Sequence, residues 1–97
     1  MKRSQRRLKF KRVKGLRDDT GQKLHGLADY YPLQIENKLK GKKELEIYIH
    51  EMLHYLYPKE DEPVIVRHSI VLCNTLWHEG YRKVDNSNDI PMQDGTM

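Results

Sequence analysis

His50, Glu51 and His54 fall inside one run, residues 44–57, and they can act together only if that run is an α-helix. Residues four apart stack on one face of a helix, so both imidazoles could then reach a single metal ion. Glu51, beside the first histidine, would stand where it can take a proton from water activated there. The bland alternative is a helix with two solvated histidines. The rest of the helix, and the search for a third ligand, separate the two readings.

The helix is expected over about residues 42–57, with Pro58 stopping it. Leu45, Ile49, Met52, Leu53 and Leu56 recur at the spacing of a core-facing stripe. The histidines lie across the cylinder from that stripe, beside Ile47 and Tyr57 rather than beside lysines and glutamates. Both sides are therefore expected to be covered, which favours a built site. An acidic turn follows, and Pro63 suits the first turn of a second helix. Ile65, Ser69, Leu72 and Leu76 give its core stripe, flanked by Val66, Cys73 and Trp77, and Gly80 is placed to cap its C-terminus.

Upstream, residues 8–13 alternate as a short strand and residues 18–21 read as a turn. Residues 23–31 form an extended segment, and Leu33–Glu36 alternates cleanly as a third strand. Residues 81–84 either add a last short strand or pack over Trp77. The expected fold is α+β, a small antiparallel sheet of about three strands packed on two helices.

A catalytic zinc site takes three protein ligands and keeps one position open. Carrying the stripe of the second helix back one turn places Glu62 on its inward side. A carboxylate there is costly unless it is paired or binds a metal. Glu60 is a rival at the sixth position after His54, although Tyr57 stands where that spacing needs a glycine to turn. His68 stays open as well, whereas His78 reads better as a cation near a helix C-terminus. Glu62 is the first choice.

Ninety-seven residues suffice for one small domain, and a metal crosslink would help so small a core. The formal charge of +4 is unevenly placed: residues 1–14 hold eight lysines or arginines and no acid, residues 15–97 ten against fourteen acids. A basic disordered arm over residues 1–7, a folded domain over 8–85 and a flexible tail over 86–97 are expected. The arm is either a solvated tail or a weak nucleic-acid contact within residues 1–14, made first by Arg3, Arg6 and Arg7. Cys73 is the sole cysteine, which excludes an intrachain disulfide and a cysteine-based zinc site. No apolar run follows the basic N-terminus or reaches spanning length, so a cytoplasmic protein without membrane contact is expected.

Three stretches, with Pro58 and Glu62, carry a family resemblance: Gly41-Lys42-Lys43-Glu44-Leu45-Glu46, Ile49-His50-Glu51-Met52-Leu53-His54, and Leu76-Trp77-His78-Glu79-Gly80-Tyr81-Arg82. Together they resemble the small H-E-x-x-H proteins encoded by bacteriophages. These are similar to pared-down zincin metallopeptidases, including the SprT-like and ImmA/IrrE-like groups. The resemblance covers about residues 24–84. It implies a minimal gluzincin-like hydrolase of the host cytoplasm, with Zn2+ on His50, His54 and Glu62 and Glu51 as general base.

The expected chemistry is hydrolysis of a peptide bond in a protein or peptide substrate by metal-activated water. Glu51 would take the proton and later deliver it to the leaving amine. The substrate is expected to lie extended along Leu33–Glu36, contacting Leu33 and Ile35 by strand addition. Tyr55, Tyr57, Tyr81 or His68 would supply the oxyanion donor. The alternative function is a non-catalytic, metal-stabilised interaction module, associated with nucleic acid through the arm. An intact Glu51 favours catalysis, because a structural site needs the histidines but not that carboxylate.

Overall fold

The computed structural model describes residues 6–29 and 31–84. Its elements are β1 (Phe10–Val13), β2 (Gly26–Leu27), β3 (Leu33–Glu36), α1 (Gly41–Leu56) and α2 (Glu62–His78), a small α+β fold. Most of the expected arm, Arg3 with it, and the tail over 86–97 lie outside the described residues.

The sheet order is β1-β3-β2, with β3 in the middle. β1 runs parallel to β3, from Phe10 opposite Leu33 to Val13 opposite Glu36, while β2 runs antiparallel to it. The sheet is therefore mixed, not antiparallel as expected. The chain leaves β1, crosses to the far edge as β2, and turns back between the two. That insertion forces β3 to run alongside β1. The clean alternation of Leu33-Gln34-Ile35-Glu36 is explained by the same placement: Leu33 and Ile35 are wholly buried.

Glu36 ties the crossing loop to the sheet end. Its carboxylate accepts from the backbone N–H of Leu16 at 2.8 Å and of Lys38 at 3.2 Å, and Leu16 is buried beneath.

α1 is the spine of the molecule. Glu44, Ile47, Tyr48 and Glu51 share one face, at the i, i+3, i+4, i+7 spacing that faces a single neighbour, the sheet. Tyr48 meets Phe10 of β1 edge-on, with ring centroids 4.6 Å apart, and Arg12 reaches both the Tyr48 hydroxyl and the Glu44 carboxylate. Ile47 and Ile49 lie on opposite sides of the cylinder and both are buried, so both sides are covered as expected. The covering differs from the expectation, since α2 packs on α1 and not on the sheet. The layers are sheet, α1, α2.

The buried row of α2 is Ile65, Ser69 and Cys73, each about 1% exposed. A row in steps of four brings Cys73 under α1, where its Sγ lies 3.6 Å from the Lys42 carbonyl oxygen. Leu72, expected in this core, is instead exposed, as is Leu56 at the end of the expected α1 stripe. Gly80 closes α2 with φ of 98°, and the Tyr81 N–H donates to the Leu76 carbonyl at 3.0 Å, five residues back. Residues 81–84 form no strand. Arg82 stacks on the Trp77 ring at 3.5 Å, so the packed alternative is the one adopted.

Candidate metal centre

Helical spacing brings the two histidines together, one turn apart on α1. His50 Nε2 and His54 Nε2 are 3.1 Å apart. The turn between the helices, with a Glu60 N–H bond to the Tyr57 carbonyl, then carries Glu62 back over them. One carboxylate oxygen of Glu62 lies 2.6 Å from His54 Nε2 and the other 3.5 Å from His50 Nε2. All three residues offer ligand atoms within 4.8 Å of one another, close enough to hold a metal ion.

The donor set fits a small divalent cation. Ligands 2.0–2.1 Å from a tetrahedral ion stand about 3.3 Å apart. The separations of 2.6, 3.1 and 3.5 Å bracket that value. The two imidazole nitrogens stand 3.1 Å apart with a carboxylate over both, and with Nε2 unprotonated each ring can turn a lone pair to one shared ion. Desolvation holds His50 below the ordinary histidine range, although the Glu62 charge opposes it. Burial therefore favours the neutral, ligating form of that ring.

Glu60 and His68 stand outside the cluster and are exposed. Glu62 joins it for a different reason than the sequence suggests. Its side chain is 60% exposed, so it reaches the histidines from the rim and not from the core. At the start of α2 its charge also complements the positive end of that helix.

Glu51 is the buried member of the site, 8% exposed, and among the described residues it has no hydrogen bond or ion pair. It lies against Gly26 of β2, the residue whose missing side chain leaves room for it. Burial pushes its carboxyl up to about 7, and the charges of Glu62 and Asp29 add to the effect.

These groups open into a cleft of ≈ 700 Å³. One wall is the segment 24–29 around β2. The floor is α1, including Lys43, Glu46 and both histidines, and Pro58, Glu62 and Val66 form the far side. Leu33 and Ile35 do not line it: β3 is paired on both edges, so the expected strand addition there has no edge to use. Among the described residues, the unpaired strand edge beside the cleft belongs to β2. None of the four expected oxyanion donors lines the cleft either. Tyr55 packs on Tyr31 at 5.4 Å, while Tyr57, Tyr81 and His68 are exposed. Arg6 and Arg7 are exposed ahead of β1, and neither lines the cleft.

The sequence reading passes over Gly26 and Asp29. A signal for Gly26 exists, since a lone glycine within an extended run marks a close approach of another group. Asp29 has none.

Among the described residues no helix is long and apolar enough to cross a membrane. No family model, no curated protein and no solved structure matches the chain, so the chemistry of its site must be read from its own residues.

Proposed function

We propose that this chain is a zinc-dependent metallopeptidase of minimal zincin type, with His50, His54 and Glu62 as ligands and Glu51 as general base. The observation that carries the reading is Glu51. A carboxylate buried without a cationic partner is a cost to folding, and a site that only held a metal would have no use for it. A bound Zn2+ supplies Lewis acidity, which makes water nucleophilic near neutral pH. His50 and His54 orient the site from one helix face, and Glu62 closes it from the second helix. Glu51, adjacent to the ligands and opening to the cleft, receives the proton of the attacking water and passes it to the leaving amine.

The substrate on this reading is a peptide lying extended along the free edge of β2. Main-chain hydrogen bonds would hold it there, and α1 beneath would present the ligands. The test is cleavage of a degenerate peptide library by the zinc-loaded full chain, with new N-termini read by mass spectrometry. Glu51→Gln should retain zinc and lose every cut. Cuts made equally by both proteins, or by neither, would sink the peptidase reading and leave a metal-stabilised interaction module.

A further inference from the structure

The apolar stripe of α1 is only partly used by the fold. Ile47, Tyr48 and Glu51 turn to the sheet, while Lys42 and Ile49, two turns apart on the next face, lie under α2 at Cys73. Leu45, Met52 and Leu56, at i, i+7 and i+11, share a further face that neither neighbour covers. Leu45 and Met52 are half-buried there, and Leu56 is 43% exposed. On α2, Leu72 and Leu76 are one turn apart, the first 44% exposed and the second half-buried. Val66, on the opposite flank of the Ile65, Ser69 and Cys73 row, lines the cleft, so Leu72 and Leu76 fall on the flank away from it. The five side chains form one apolar face, on the side of the helix pair opposite the metal centre.

Charge gathers at the two ends of the helix pair instead. Where α1 begins and α2 finishes, Lys40, Lys42, Lys43, Arg82 and Lys83 outnumber Glu46 and Glu79, and Glu44 is buried against Arg12. At the other end Glu60, Asp61 and Glu62 outnumber Lys59. An apolar face with a basic end and an acidic end is matched by its own inverted copy. Depletion of charge from the middle with polar groups at the margin is also the composition of a protein contact.

We propose that the face of Leu45, Met52, Leu56, Leu72 and Leu76 is the contact between two copies of the chain, paired about a two-fold axis that runs across the helices. Such a contact is isologous, the same patch on both copies. It sets α1 and α2 antiparallel to their counterparts, as in a four-helix bundle. The acidic end of each copy then meets the basic end of the other, whereas an axis along the helices would bring like ends together. The available area sets the strength. At about 1.5 Å per residue over 16 residues, and about 9 Å between helix axes, the face measures about 24 by 20 Å, on the order of 500 Å². A standard contact takes about 800 Å² from each partner, so the dimer is weak, with a dissociation constant of about 10–100 μM. The cleft lies on the other side of the helix pair and stays open in both copies.

The test is sedimentation equilibrium of the full chain from about 5 to 500 μM, where the mean mass should rise from 11.6 kDa towards twice that value. Leu56→Lys and Leu72→Lys change exposed side chains, so each should keep the melting temperature of the dilute parent and weaken the dimer by about tenfold or more. Val71→Lys, on the outer side of α2 and 56% exposed, should dimerise like the parent. The orientation has its own readout. Glu60→Lys with Asp61→Lys makes both ends basic, and Lys40→Glu with Lys42→Glu makes both more acidic. Each variant alone should associate less than the parent, and an equimolar mixture of the two should associate more than either. The proposal is overturned if the parent stays monomeric throughout, if Val71→Lys is as damaging as Leu72→Lys, or if mixing restores nothing. It also falls if Ile90→Ser with Met92→Ser strengthens the dimer, because the chain after residue 84 would then be the occupant of the face.

Discussion

Gly26 and Glu51 compete for the same space: a β-carbon on Gly26 would lie 2.6 Å from Glu51 Cγ and 2.9 Å from its Oε2. Ile47 Cγ2 would be as close, at 2.9 Å. The strand and the Glu51 side chain are thus fitted to each other, and the backbone angle of Gly26 has no part in it. Gly26→Ala should overpack this contact and lower stability by about 1–3 kcal/mol in thermal unfolding. Zinc affinity, measured by competition with a chromophoric chelator, should change little, because the ligands lie on other contacts. On the proposed peptidase reading, hydrolysis should fall sharply with Glu51 displaced. A variant as stable as the parent would mean that β2 and α1 separate easily.

The raised affinity of Glu51 for its proton makes a signed prediction about pH. Its carboxyl titrates near 7 in the folded chain, against 4.5 for an unperturbed glutamate. The folded state holds this proton more tightly, so the associated stability is full below about pH 4.5 and is lost as pH rises through 7. The whole shift corresponds to about 3 kcal/mol. Metal-free Glu51→Gln cannot ionise there. It should match the metal-free parent at pH 4 and exceed it by up to that amount at pH 8, read from urea unfolding. Equal stability at both pH values would show Glu51 to be well solvated.

Much of this site is legible in the sequence because it is local. The interval from His50 to His54 fixes their shared face once the run is helical, and the apolar character of Ile47 beside them signals a helix covered on two sides. Glu62 is found for the wrong reason: apolar phase points it into the core, while the short turn after Pro58 actually brings it over the histidines from the rim. Strand order is where local reasoning stops. Nothing in Leu33-Gln34-Ile35-Glu36 distinguishes an edge from a centre, because either has one face on a helix. The position of β3 is decided by how the chain between β1 and β2 crosses the sheet end. The drift of the α2 core onto Cys73, leaving Leu72 outside, depends likewise on where α1 lies.

Glu62 and Glu60 are two residues apart, and metal binding should tell them apart clearly. Loss of a mere outer partner costs about 10–100-fold in metal affinity, so removing a direct ligand should cost at least about a hundredfold. Glu62→Ala should show that loss in the chelator competition, and Glu60→Ala should bind like the parent. The same split should appear in melting. Zinc at a hundred times its dissociation constant should stabilise the parent and Glu60→Ala by about 2.7 kcal/mol, and Glu62→Ala by far less. Equal losses in the two variants would mean that the turn as a whole, rather than one carboxylate, holds the ion.

Arg12 and Glu44 join the sheet to α1, with 2.7 Å between guanidinium and carboxylate. Glu44 is the buried partner, its side chain 7% exposed against 30% for Arg12. Lys83 also approaches Glu44, at 3.4 Å, but it is 62% exposed and a weak substitute. Arg12→Met should therefore leave a buried carboxylate short of charge, and lose its bonds to Tyr48, Asn37 and Leu39 as well. A cost of about 3 kcal/mol is expected, at the lower end for a broken buried pair because Arg12 is partly solvated. Removing both charges tests whether the cost belongs to the pair. Arg12→Met with Glu44→Met fills the same space with apolar atoms and should recover part of the lost stability, since two matched hydrophobes often replace a buried ion pair without penalty. Recovery in a double-mutant cycle would identify the orphaned Glu44 as the source of the cost. Strict additivity would place it in the lost bonds of Arg12 to the turn that leads into α1, and so in the anchoring of the helix that carries the histidines.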